Sequence, residues 1–154
     1  GLMAGFDVEA ALNGLKALVE TIPAVEAVQV GAPESLTNRI CAWVTIGDPG
    51  DIGTPAPPVY ELPISLVVWM GYVVEGSEGA AEAQLADWVT ELTRRLIRNR
   101  QETVDGVTRN LNGSVDRLGL PQPAAGAADY TLFAGQEART YPLGVRVVQR
   151  ETIG

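Results

Sequence analysis

The sequence predicts an α+β fold: a mostly antiparallel sheet of about four strands with two helices packed on one face. Three observations predict it. Two stretches, near residues 8–22 and 78–96, carry apolar side chains at helical spacing. Residues 40–46 and 59–74 alternate apolar and other side chains at the period of a strand. The order is helix, strand, strand, strand, helix, insert, strand, which suits two helices laid over one sheet.

The first helix starts at Asp7, a good N-cap, and runs to about Thr21 before Pro23 stops it. Val8, Leu12, Leu15, Val19 and Ile22 form its stripe, widened by Ala11 and Leu18, opposite Glu9, Asn13, Lys16 and Glu20. A short strand is expected over Val25–Val30 and a turn over Gly31–Asn38. The next strand, Arg39–Ile46, puts Ile40, Ala42, Val44 and Ile46 on one face and Cys41, Trp43 and Thr45 on the other. Both faces are apolar enough to be covered.

Residues 47–58, GDPGDIGTPAPP, read as a long projecting loop, opened by turn-formers, closed by prolines and too long for a tight hairpin. Val59–Val74 is the longest strand, with Tyr60, Leu62, Ile64, Leu66, Val68, Met70 and Tyr72 on one face. Pro63 cannot donate to a ladder, so it marks an edge or a bulge. Ser77 is placed to cap the second helix, whose stripe is Ala81, Leu85, Trp88, Val89, Leu92 and Leu96. Its end carries Arg94, Arg95, Arg98 and Arg100, where cations suit the helix dipole.

Residues 101–137 read as an irregular insert. Within it NLNGS at 110–114 suggests a hairpin turn between Thr103–Arg109 and Ser114–Leu118, and PQPAAGAA at 121–128 an extended segment. Tyr130–Phe133 reads as a short strand or anchor. The last element, Ala138–Thr152, is strand-like around Gly144–Gln149. Residues 1–154 are thus one domain with a long loop and an insert.

Composition narrows the function. The net charge is −8, without the basic footprint of a nucleic-acid binder. The sign is unevenly spread: residues 1–93 hold thirteen acids and two bases, residues 94–154 six acids and nine bases. Such a split is used up either by ion pairs within one fold or by an acidic face meeting a basic face on an identical neighbour. Charged residues are 19% of the chain, below the usual quarter, a composition that suits a partly covered surface. Gly1–Phe6 has neither the basic region nor the apolar core of a secretory signal, and the apolar run Ile64–Val74 is too short for a membrane helix.

The sequence has no histidine, which removes the usual base of nucleophilic triads and the usual ligand of catalytic metal sites. The lone Cys41 reads as a small buried residue. The lone lysine, Lys16, lies inside a helix, so no phosphate loop is present. Asp48 and Asp51 are the best local carboxylate pair, but GDPGDIG lacks the alternating oxygen ligands of a metal loop and reads as a turn. No catalytic, metal or cofactor residue is expected. A small carboxylate-dependent enzyme or ligand-binding domain built on Asp48 and Asp51 is the alternative from another class.

The stretch AWVTIGDPGDIG…PPVYELPISLVVWMG, followed by the helix EGAAEAQLADWVTELTRRL, resembles the tail-terminator and tail-completion proteins of long-tailed bacteriophages. The resemblance covers most of residues 7–100 and 138–152, and the 101–137 segment has no counterpart. It implies a homo-oligomeric ring, sixfold in that family, assembled in the host cytoplasm and carried in the virion neck. Such a ring caps the tail tube, meets the head-tail connector or stopper protein, and lets DNA pass through its bore without sequence-specific binding. Another neck ring, such as a head-closure protein, is the alternative. On this reading the loop residues Asp48, Asp51 and Ile52 contact the adjoining ring. Arg94, Arg95, Arg98, Arg100, Tyr130, Phe133 and Tyr141 lie at the subunit interface, and the insert packs on a neighbour.

Overall fold

The computed structural model describes residues 5–23, 25, 27–36, 40–74, 78–124, 130–133 and 135–154. Helix α1 (Val8–Glu20) begins where the Asp7 carboxylate accepts from the Ala10 N–H at 3.0 Å. Its expected stripe is the face it buries: Ala11, Leu12, Leu15, Leu18 and Val19 are all in the core. Helix α2 (Glu78–Asn99) buries Leu85, Trp88, Leu92 and Leu96 in the same cluster. The expected Ser77 cap lies outside the described residues.

The strands are β1 (Val28–Val30), β2 (Cys41–Pro49), β3 (Gly53–Ala56), β4 (Val59–Val73), β5 (Arg117–Leu118), β6 (Gln122–Pro123), β7 (Tyr130–Phe133) and β8 (Gln136–Thr152). They form one eight-stranded sheet in the order β1-β2-β4-β8-β5, with β3 also on β4 and β6 and β7 also on β8. The α+β class holds, but the sheet has twice the expected strands because short segments add to its edges. It is antiparallel except where β1 runs parallel to β2.

Its spine is the β4–β8 ladder, which runs without a slip from Val59↔Thr152 to Val73↔Ala138. Strand β8 is therefore far longer than the stretch around Gly144–Gln149 that stood out in the sequence. Ile40, Ala42, Val44, Ile64, Leu66, Val68, Met70, Leu143, Val145 and Val147 face both helices in one core cluster. Pro63 sits where β2 stops pairing with β4 and β3 takes over, beside the register shift between Ile46 and Pro49. The missing N–H costs no ladder bond at such a gap, in keeping with a bulge position.

Two expectations are corrected. Residues 47–58 are not an open loop: β2 continues to Pro49, and β3 folds back on β4 through a turn at Pro57–Pro58. The prolines shape a hairpin because β3 needs ladder bonds only on its β4 side. Of the segment 101–137, the part up to Leu118 is also not an insert resting on a neighbour. Val104, Val107, Leu111, Val115 and Leu118 are buried in this chain's own core.

The expected hairpin around NLNGS does not form, and Val104 and Val107 pair in a small turn of their own. Asn110, Leu111 and Asn112 make a left-handed turn, with φ of 60°, 54° and 62°. The fully buried Gln149 ties these parts together. Its amide donates to the carbonyls of Asp7 and Ser114 at 2.7 and 2.9 Å and accepts from the Asp7 N–H at 3.0 Å.

Candidate assembly surfaces

The arginine group at the end of α2 divides into unlike members. Arg95 faces inward, 8% exposed. Its guanidinium meets Glu91 at 3.0 Å, Thr21 Oγ1 at 2.8 Å, the Thr21 carbonyl at 3.2 Å and the Asp105 carboxylate. It joins α1, α2 and the following turn inside one chain, so it is corrected from a subunit contact to an internal tie. Arg100 is likewise committed, donating to the Leu118 carbonyl at 2.8 Å. Tyr141 packs against the main core. Arg94 and Arg98 lie on the solvent side. Arg98 pairs with Glu102 at 2.9 Å, and that hydrogen bond raises the arginine's pKa further. Arg94 is 3.9 Å from Glu91.

Truncating Arg95 to Ala is expected to lower the unfolding free energy by about 2–4 kcal/mol, because Asp105 and the Thr21 groups lose a buried charged donor. Arg94→Ala should stay within about 0.5 kcal/mol. Urea unfolding of the two variants checks the contrast.

Part of the uneven charge is used within the fold. Glu61 holds Arg150 at 3.2 Å and Arg117 at 3.4 Å, and Glu82 holds Arg139 at 2.6 Å. Some front acids thus meet back bases inside the chain, and the split in the sequence is no measure of charge left over for a neighbour.

Among the described residues, two surfaces stand open. The first is the β3–β4 hairpin, where every residue from Asp51 to Pro58 is exposed. Ile52 is 64% exposed, and Asp51 is the only charge in that stretch. Asp48 lies on β2, and its side chain is outside the described residues, as are those of Tyr130 and Phe133 on β7.

The second surface is the sheet face turned away from the helices. Its upper part is closed by Leu36 over Trp43, Val73 and Ala138. Its lower part is a groove of about 350 Å³, with Thr45, Ser65, Val67, Trp69, Gly144 and Arg146 in its lining and residues 120–124 as its rim. Trp69 stacks on Trp43, ring centroids 6.3 Å apart and planes 6° from parallel. Its indole N–H donates to Thr45 Oγ1 at 3.1 Å, which fixes the ring beside the groove. This groove had no signature in the sequence beyond the alternation of Trp43, Thr45, Val67 and Trp69 on a second apolar face.

Among the described residues, no three His, Cys, Asp or Glu side chains come together as a metal site. No described helix is long and apolar enough to cross a membrane. No protein-family model matches the chain, and no curated protein matches it.

Proposed function

We propose that this chain is a structural protein that works by assembling with copies of itself. More particularly, we propose a ring of the phage tail neck, the terminator that caps the tail tube and meets the head-tail connector or stopper protein. The observation that carries the reading is the projecting β3–β4 hairpin. Eight consecutive exposed residues with a single charge have no role in their own chain's core. An exposed, weakly charged projection of that kind suits a contact with another protein. The open groove on the opposite sheet face supports the same reading. The resemblance of the sequence over most of residues 7–100 and 138–152 supports the particular one.

Purified protein is expected to form closed rings in negative-stain images and a multi-subunit species in light scattering, with the ring binding an end of the tail tube. Loss of the protein should give overlong or unfinished tails. Normal free tails that fail to join heads would instead assign the chain to a head-side ring. A chain that stays monomeric at high concentration, with tail-tube protein present, would end the proposal.

A further inference from the structure

The hairpin and the groove complement each other chemically. The hairpin presents Pro55, Pro57 and Pro58 on an exposed strand and turn. The groove presents an aromatic wall, Trp69 backed by Trp43, over the small floor residues Ser65 and Gly144. Extended proline-bearing segments dock on aromatic-lined grooves because the stiff ring loses little entropy and packs flat on the indole. The charges also match in sign. Arg146 is the groove lining's one charged residue, and Asp51 is the one charged residue between Asp51 and Pro58.

Arg146 already reaches Gly50 of its own chain, 2.9 Å from where a Cβ there would stand, but the proline tip cannot reach this groove. The hairpin turn precedes Val59, and the groove floor is at Val67, on the same continuous strand β4. At a rise of about 3.3 Å per residue the tip lies roughly 27 Å from the floor of its own groove. The β3–β4 and β4–β8 ladders hold it there. A groove filled by this hairpin therefore belongs to another copy.

We infer that the proline hairpin of one subunit, residues 51–58, docks in the tryptophan-walled groove of the next. This deepens the assembly reading and rests on it. The contact is head-to-tail, the type that closes into a ring when the rotation between subunits permits.

Two variants separate the halves. Gly144→Phe projects a ring into the groove, and its Cβ would be in ordinary contact, 3.5 Å from the Gln122 oxygen and 3.6 Å from the Ala124 Cβ. Pro55→Glu puts a charge on the exposed strand β3. Circular dichroism and melting should leave both folded. In sedimentation velocity each variant alone is expected to be monomeric where the wild type assembles, its dissociation constant raised at least about thirtyfold. Mixed in equal amounts they should form a heterodimer and nothing larger, because the intact hairpin of Gly144→Phe enters the intact groove of Pro55→Glu. If the wild type assembles and both variants assemble equally well, the hairpin contact is wrong and the ring reading stands. If Pro55→Glu assembles normally but loses only the tail-tube protein, the hairpin serves the adjoining ring and the inference falls. A wild type that never assembles overturns both.

Discussion

Asn99→Leu is expected to lower the unfolding free energy by about 3–5 kcal/mol and to loosen the segment from Val104 to Leu118. Asn99 is fully buried at the end of α2. Its Oδ1 accepts from the Leu111 N–H at 2.8 Å. Its Nδ2 donates to the carbonyls of Val107, Thr108 and Glu102 at 3.0, 3.2 and 3.3 Å. Leucine fills a similar volume and meets none of these groups. Each buried group left unpaired costs about 1–3 kcal/mol, and two such losses set the scale.

Asn99→Asp probes the same site by charge. It keeps the acceptor for Leu111 but turns a second oxygen toward the carbonyls. Burial then favours the neutral acid, which can donate one bond, so the folded-state pKa is raised. Stability is greatest below the unfolded carboxylate pKa of about 3.9 and is lost as pH rises through the raised folded value. Urea unfolding against pH, with hydrogen exchange over residues 104–118, checks both variants.

That hub marks where the sequence stops being legible. Helices α1 and α2 and the facing strands β2 and β4 could be read because each carries its own period. A stripe every three or four residues, or an alternation of two, needs no partner to be visible. Strand β3 carries no such pattern. Gly-Thr-Pro-Ala is a strand only because β4 offers it an edge. The left-handed turn at 110–112 is set by contacts from Asn99, which no local rule supplies, and a leucine there contradicts local preference. One overlooked signal lay in the apolar spacing of Val104, Val107, Leu111, Val115 and Leu118. Those are all the large apolar residues between Gln101 and Gly119, and all of them are buried. Regular burial of that kind argues for a part of the core, not for a segment waiting on a neighbour.

The candidate surfaces follow the same division. The exposure expected of Asp51 and Ile52 is observed, since a run of turn-formers and prolines has no core face to bury. Composition groups Arg95 with its neighbours, yet the stripe Trp88, Leu92, Leu96 continues through the Arg95 and Asn99 positions. Helical spacing alone therefore pointed those two polar side chains inward. The groove was not legible because its lining is shared among β2, β4 and β8, three or four residues from each, and β8 is brought alongside by a ladder of high sequence separation.

Gly14→Ala is expected to destabilise the protein by about 2–3 kcal/mol, although glycine to alanine inside a helix ordinarily gains about 1 kcal/mol. A methyl at Gly14 would stand 2.3 Å from the Leu111 carbonyl oxygen, 2.8 Å from its Cβ and 2.9 Å from its carbonyl carbon. Two of those atoms are backbone, in the left-handed turn that Asn99 pins from the other side, so neither wall can give. Close approach of α1 to this turn is thus possible only with glycine. The two sites should be coupled. In the Asn99→Leu background the turn is free to retreat, and the further loss from Gly14→Ala is expected to shrink by about 1 kcal/mol or more. A double-mutant cycle by urea unfolding measures the difference. Strict additivity would mean that the helix, not the turn, moves to admit the methyl, and α1 would then be the softer element of the pair.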